Sequence, residues 1–317
     1  MKKIGFLIDP PERLDPAKDS SIELMRSAAA AGNQVIMFTV AGMRADNSGL
    51  HIAGSRIPMR TAAKPWHAGA EDWTGTSHEL DVIMLRLEPP INERFRIAAA
   101  LLEIAARTGT PVINDPAAVL IGEEKIAALL YPQLVPDTLI STNAQELIEF
   151  AEQLPDGCVV KKLGGMGGQG VFAFAAGDSN LPAAVLQILA TGAAALVQRR
   201  LPDLASGDRR VFVIDGQPAE VMLNRLPEAG SHLANMAAGG RAEAMPIGKR
   251  EHEIAQALGD DLKKAGVLFA GLDVIDGHLT EINISCPTGL VQVRQQLNVD
   301  LAATIVEKSL AAAGCAL

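Results

Sequence analysis

The chain has 317 residues, 48% of them apolar and 21% charged, which is enough for two or three globular domains and excludes a disordered polypeptide. Its formal net charge of -9 excludes a protein that grips nucleic acid through a broad basic face, while leaving room for a local basic pocket that takes a nucleotide. The apolar run at the N-terminus stops at Asp9, too short for a signal peptide or a membrane span. Cys158, Cys286 and Cys315 are too few and too scattered for a disulfide framework or a zinc site. A cytoplasmic protein with neither membrane nor nucleic-acid partners is expected.

Strand and helix patterns alternate through the first third. Ile4 to Ile8 reads as a buried strand, and Ser20-Ser21 can cap a helix running through Leu24 and Met25 to Gly32. Gln34 to Val40 is the next strand, and Asn47 to Gly75 reads as hairpins or loops. Asp81 to Leu87 is a strand ending near Arg86, followed by a helix from Glu93 to Thr108 and a strand from Pro111 to Asn114. This predicts an α/β layout with a mostly parallel sheet. No G-x-G-x-x-G follows the first strand, so a dinucleotide cofactor is not expected. Asp115-Pro116 marks a turn and a domain boundary.

A helix over Glu123 to Leu130 carries Lys125. Thr138 to Ser141, a helix over Ala144 to Leu154, and the strand Cys158 to Leu163 open a second unit. Lys161 and Lys162 lead into the loop 164–170, which contains Gly164, Gly165, Met166, Gly167 and Gly168, and the strand Val171 to Ala175 follows. Glycines let backbone N–H groups wrap phosphate oxygens, and strand, loop, strand makes a flap rather than a Walker or Rossmann turn. A hairpin without ligand is the plainer alternative; the abutting lysines favour phosphate. A helix over Leu181 to Ala190 precedes the buried strand Ala195 to Leu201. The stretch 207–216, a strand entering an Asp-Gly turn, holds Arg210, and its partner from Pro218 ends at Arg225. Asn235 to Arg241 is small and glycine-rich, expected as a mobile loop over a site. A helix from Glu251 to Ala265 comes next, and another from Val299 to Ala313 closes the chain.

Between those two helices lies 269–288, read as two strands joined at Asp276-Gly277. Glu281 and Asn283 are two apart and share a face. A three-residue loop sets Asp273 opposite Glu281, whereas a two-residue turn sets it opposite Thr280. The first register gathers two carboxylates and an amide oxygen, a set suited to Mg²⁺; the alternative is a solvated polar face on an edge hairpin. Lys125 and Lys161 suit nucleotide phosphates, and Arg210 and Arg225 suit carboxylate or developing phosphate charge. No Ser-His-Asp or Cys-His arrangement is legible. The pattern points to ATP activating a carboxylate, with little covalent chemistry asked of the side chains.

The blocks Asp9-Pro10, 18–21, 81–86 with Pro89-Pro90, 111–114, Glu124-Lys125, 165–168, 207–210, Asn235 with 237–241, 271–273, 279–283 and Pro287-Thr288 resemble the bacterial glutathione synthetases, members of the ATP-grasp superfamily, nearly end to end. The resemblance implies a Rossmann-like α/β domain over 1–122, a small lid domain with the glycine loop over 123–200, and a C-terminal α+β domain over 201–317. It implies that Lys125 and Lys161 hold ATP phosphates under the loop, and that Gln198 to Leu201 meets the adenine. It implies that Asp273, Glu281 and Asn283 hold two Mg²⁺ ions, for which Mn²⁺ is an alternative. By the same resemblance, γ-glutamylcysteine is phosphorylated on its C-terminal carboxylate and glycine displaces the phosphate. Arg210 stabilises the charge that develops, and Arg225 with the 226–241 loop closes over the intermediate. Arg86, Asn235, Arg241, Cys286 and Thr288 fall at substrate positions, and the assembly implied is a homotetramer.

The chain departs from the family pattern at Leu87-Glu88 (usually Lys-Asp), Lys162 (usually Pro), Leu233 (often Arg), Cys286 (usually Ser), Gly289 and Gln292. Two further readings therefore stand beside glutathione synthesis: a paralogous ligase with another acid or amine, and a nucleotide-binding module with a dead site. The intact Asp273, Glu281 and Asn283 with Lys125, Lys161 and Arg210 argue against the last.

Overall fold

Apolar runs and amphipathic stretches over residues 3–113 build a seven-stranded sheet from β1 (Lys3–Ile8), β2 (Gln34–Phe38), β3 (Met43–Asp46), β4 (Gly49–Ile57), β5 (Glu71–Thr76), β6 (Val82–Arg86) and β7 (Val112–Ile113). The computed structural model describes residues 1–59, 65–164, 170–202, 206–227 and 241–315. Strands β2, β1, β6 and β7 are parallel neighbours in that order, and β3, β4 and β5 add antiparallel pairings beyond β2. The expected hairpins are thus part of the main sheet. Helices α1 (Ser20–Ala30) and α2 (Glu93–Arg107) make the crossovers.

The start of α1 corrects the serine-cap expectation. Asp19 is the cap, its Oδ1 accepting the Ile22 N–H at 2.8 Å. The two serines are used for tertiary ties: Ser20 Oγ accepts the N–H groups of Gly289 and Leu290, and Ser21 Oγ accepts from Arg86 Nε. Both hydroxyls can serve this way because a carboxylate one residue earlier satisfies the helix end.

Asp115 caps a helix absent from the sequence reading, α3 (Pro116–Ile121), by accepting the Ala117 and Ala118 N–H groups. The short α4 (Glu124–Ala127) follows. A four-stranded antiparallel sheet, ordered β10-β9-β11-β8, comes from β8 (Thr138–Ser141), β9 (Cys158–Lys162), β10 (Val171–Phe174) and β11 (Ala195–Arg199). It packs on α5 (Ala144–Glu152) and α6 (Leu181–Leu189) around its own core of Leu147, Val160, Val185 and Val197.

The last sheet, ordered β14-β13-β12-β15-β16, joins β12 (Asp208–Ile214), β13 (Gln217–Leu226), β14 (Arg241–Pro246), β15 (Phe269–Ile275) and β16 (His278–Asn283). Helix α7 (Lys249–Lys264) covers one face through Ile254 and Leu258. The other face shares a core with the first sheet: Phe212 and Leu223 join Phe6 and Ile8 through α1, α8 (Leu290–Leu297) and α9 (Leu301–Cys315). Asn114, at the end of β7, bolts the two sheets together. Its amide donates to the Phe269 and Ile284 carbonyls at 2.7 Å and accepts from the Leu268 and Phe269 N–H groups at 2.9 Å. Each bond contributes about 1 kcal/mol, but leaving the backbone groups unpaired would cost more. Strand β14 and helix α8 were not read from the sequence.

Candidate functional site

Cross-strand register assembles the site. Arg210 on β12 lies opposite Asp273 on β15, which lies opposite Glu281 on β16. Directly opposed residues project from the same face, so one cation and two carboxylates form a row across three strands. Asp208, two residues before Arg210, shares that face and lies opposite Arg225 on β13.

The expected Asp273–Glu281 register is present, but by another route. The turn is the two-residue one: Ile275 pairs with His278, and Asp276 and Gly277 have φ of 49° and 69°. A bulge between Asp273 and Val274 then shifts the register, leaving Thr280 as the extra residue. The Thr280 hydroxyl donates to the Asp273 carbonyl at 3.1 Å. A bulge moves one side chain without re-pairing the whole strand.

The row is tightly paired. Arg210 Nε and Nη2 donate to the two carboxylate oxygens of Asp273 at 2.6 and 3.3 Å. Arg225 Nη2 lies 2.9 Å from Asp273 Oδ2 and 2.6 Å from Asp208 Oδ2. All four residues are buried. Burial pushes the Asp273 carboxyl up, but the two guanidinium groups outweigh it and hold it well below the usual carboxylate range. Asp208 goes the other way, because burial exceeds the pull of Arg225. Asp208 Oδ1 and Arg225 Nε are buried without a partner among the described residues. Asp208 was not singled out in the sequence, although its spacing from Arg210 was a usable signal.

Lys125 reaches β16 from α4, its Nζ 2.7 Å from Glu281 Oε1. Burial pulls its ammonium down, and Glu281 more than offsets this. Its neighbour Glu124 accepts from the Ile284 N–H, the Ser285 N–H and the Ser285 hydroxyl, pinning the segment that leaves β16. Lys161 on β9 donates from Nζ to Gln198 Oε1 on β11 at 2.8 Å, and Gln198 is held in turn by Thr138 Oγ1. The Gln198 side chain thus positions Lys161, while Leu201 is buried just beyond the strand. Gly164 has φ of +70° and donates its N–H to Glu123. A cavity of about 290 Å³ opens here, lined among others by Pro89, Arg96, Glu124, Lys125 and Gly164.

Arg86, at the end of β6, donates to Ser21 Oγ and, at 2.8 Å, to the Pro287 carbonyl. Arg210 Nη1 donates to the next carbonyl, that of Thr288, at 3.3 Å. The Cys286 thiol contacts the Arg86 carbonyl at 3.6 Å, and burial pushes its pKa up to about 12, so it is a neutral packing group near pH 7. Arg241 opens the edge strand β14 opposite Leu226, is exposed, and its side chain makes no hydrogen bond or ion pair among the described residues. Gly165, Met166, Gly167, Gly168, Leu233 and Asn235 lie outside the described residues.

Asp273, Glu281 and Asn283 fit an oxygen-liganded divalent cation. The two carboxylates are directly opposed, and Asn283 lies opposite Gly271 two residues along the same face. Its Nδ2 donates to the Gly271 carbonyl, which fixes the amide and leaves Oδ1 as the acceptor. Hard cations such as Mg²⁺ take this donor set.

Two departures from the family pattern, Leu87 and Gly289, have packing reasons. Leu87 is 3% exposed within the apolar cluster under α2. Gly289 has φ of +117°, and a Cβ there would lie 2.5 Å from Leu223 Cδ1 and 3.1 Å from Phe212 Cζ. The carbonyl oxygen of the Gln292 side chain is buried without a partner among the described residues, and no packing reason accounts for it.

Comparison with known proteins agrees with this geometry. Residues 2–119 match the family model described as the N-terminal domain of prokaryotic glutathione synthetase, and residues 124–298 match its ATP-grasp domain. A glutathione synthetase of Pseudomonas syringae pv. tomato is 36% identical over 96% of this chain and 96% of its own length. One from Prochlorococcus marinus is 36% identical over 98% of this chain and 99% of its own. Among solved structures, D-cycloserine synthetase DcsG superposes with a TM-score of 0.68 at 16% identity, covering 99% of this chain and 100% of its own, a likeness of fold. No helix among the described residues is long and apolar enough to cross a membrane.

Proposed function

The chain belongs to the prokaryotic glutathione synthetase family of ATP-dependent ligases, and on that premise we propose that it joins γ-glutamylcysteine to glycine at the face built by Arg210, Asp273 and Glu281. The observation that carries this reading is the buried ladder in which phosphate-type cations are matched to metal-type carboxylates, Arg210 and Arg225 to Asp273 and Lys125 to Glu281. Such a ladder can exchange its internal partners for phosphates on one side and a cation on the other without stranding a buried charge.

The C-terminal carboxylate of the dipeptide attacks the γ-phosphorus of ATP, and the bond to ADP breaks to give an acyl phosphate. Glycine, having lost a proton from its ammonium, attacks the carbonyl carbon; the C–O bond to phosphate then breaks and the amide remains. Lys125 and Lys161 orient the phosphates, with Gln198 holding Lys161 in place. Arg210 stabilises the charge developing on the transferred phosphoryl group and the tetrahedral intermediate. Arg225 supports it from the neighbouring strand, and the segment 226–241 excludes water. Asp273, Glu281 and Asn283 would hold Mg²⁺, two ions on the family pattern with Mn²⁺ as a substitute, and the metal would neutralise phosphate charge.

The division we propose is an N-terminal domain over 1–122, a lid over 123–200 and a C-terminal domain over 201–317. Dependence on ATP supports a cytoplasmic setting, and a homotetramer is carried over from the family. The test is ADP release by purified protein given Mg-ATP, γ-glutamylcysteine and glycine, with product mass measured. Glutathione as product supports the reading. Turnover only with another acid or amine would replace it with the paralogous ligase.

A further inference from the structure

The two lysines of the site are held in opposite ways. Lys125 Nζ meets a carboxylate, that of Glu281, at 2.7 Å, whereas Lys161 has no carboxylate within 4 Å among the described residues. Its Nζ donates at 2.8 Å to a neutral acceptor, Oε1 of Gln198, a side chain that is 5% exposed. A neutral acceptor fixes the direction of an ammonium without cancelling its charge, which stays available to an incoming anion. Desolvation pulls the Lys161 ammonium below an ordinary lysine, with Glu281 opposing. An acceptor that favours the charged form therefore matters more here than it would in water.

An amide can present either end, and the group that decides lies one strand further out. Thr138 opens β8, the edge strand of the four-stranded sheet, and lies directly opposite Gln198 on β11. Lys161 on β9 lies opposite Leu196, which is two residues from Gln198 and shares its face. Thr138, Gln198 and Lys161 thus form a diagonal across β8, β11 and β9. The Thr138 hydroxyl has a single proton, and it goes to the Pro136 carbonyl at 2.7 Å. Its oxygen is left as an acceptor and takes Gln198 Nε2 at 2.9 Å. With the NH₂ end drawn to Thr138, the carbonyl end is the one that faces Lys161. Reversing the amide would set NH₂ against an ammonium, and a carbonyl oxygen against a hydroxyl oxygen whose proton is already committed. The relay runs one way.

We propose that Thr138 is a positioning residue for nucleotide binding: its hydroxyl, oriented by the Pro136 carbonyl, locks the Gln198 amide so that Lys161 is aimed at the phosphates with its charge intact. Thr138 touches no nucleotide and acts only through Gln198 and Lys161. This rests on the reading of Lys161 as a phosphate-binding lysine.

The experiment measures dissociation constants for Mg-ADP and adenosine by calorimetry, with KM for ATP and kcat. The proteins are the wild type, Thr138→Val, Thr138→Ser, Gln198→Leu and the double variant Thr138→Val/Gln198→Leu. Valine keeps the shape of threonine and suits a strand, and thermal melting checks that each variant folds. Thr138→Val is expected to weaken ADP and raise KM for ATP about tenfold, with a smaller change in kcat, because a hydrogen bond serving a charged group is lost. Adenosine, which has no phosphate, should bind as before, and Thr138→Ser should restore most of the ADP affinity. Adding Thr138→Val to Gln198→Leu should change nothing further, because the two side chains act as one unit. Unchanged ADP affinity in Thr138→Val, equal weakening of ADP and adenosine, a serine variant as weak as the valine one, or full additivity in the double variant each overturns the inference alone. A wild type that binds neither ATP nor ADP overturns the nucleotide reading and the inference with it.

Discussion

Arg210 and Asp273 face each other across adjacent strands and meet side by side, Nε to Oδ1 at 2.6 Å and Nη2 to Oδ2 at 3.3 Å, with Arg225 closing on the same carboxylate at 2.9 Å. One carboxylate therefore contacts two buried guanidinium groups, of which Arg225 also pairs with Asp208. Asp273→Asn keeps the shape and removes the charge. We expect ADP formation to fall below detection and stability in urea to drop by about 3–5 kcal/mol, the usual cost of stranding a buried charge. Near-normal turnover would remove Asp273 from the metal set.

Arg210→Ala leaves Lys125 and Lys161 with their partners. ATP binding, read by calorimetry, is expected to change only a few-fold, while kcat falls about 10²–10³-fold, as when one donor to a developing charge is lost. A large loss of ATP affinity would instead place Arg210 on the ground-state phosphates.

Acid stability follows from the direction of the Asp273 shift. Its folded-state carboxyl lies below the unfolded value of about 3.9, so its contribution is present above that pH and is lost as pH falls toward the folded value. Asp208 and Glu124 are shifted up, so their ionised forms cost stability as pH rises through their folded values. Urea midpoints measured from pH 6 down to 2 should fall more steeply for the wild type than for Asp273→Asn. Equal slopes would contradict the pairing.

Burial holds the Cys158 and Cys286 thiols well above an ordinary cysteine, up to about 11 and about 12. In native protein at pH 7.5, roughly the pH at which a free thiol reacts readily, both should resist iodoacetamide and react after unfolding. Peptide mass mapping reads this directly. Fast native alkylation of Cys286 would make it an open thiol facing the substrate cleft.

Gly289 begins α8 with φ of +117°, and a Cβ would strike Leu223 and Phe212. Gly289→Ala is expected to lower the urea midpoint by an amount equivalent to about 1–3 kcal/mol, from strain and overpacking together. An unchanged midpoint would show that α8 can slide.

Much of the fold was legible because its signals are local. Alternating strands and helices, the glycine loop between antiparallel strands and the Asp276-Gly277 turn each follow from the preferences of neighbouring residues. What escaped depended on distant partners. Helix α3 was taken for a boundary because Pro116 looks like a breaker, whereas Pro at a first helical position after a capping Asp is favourable. Ser20 and Ser21 looked like caps, yet their hydroxyls serve residues near position 289 and Arg86.

By itself, the sequence determined which residues could do chemistry. Lysines beside a glycine loop, alternate acidic and amide positions on a strand and paired arginines follow from side-chain type and the period of a strand. Only the tertiary structure decided how they are joined. The bulge at Thr280, the Asp208–Arg225–Asp273–Arg210 network and the exposed position of Arg241 depend on which strands lie side by side. So does the seat of Arg86, whose guanidinium donates to Ser21 Oγ and to the Pro287 carbonyl, because the partners of a buried charge are neighbours in space that spacing along the chain does not specify.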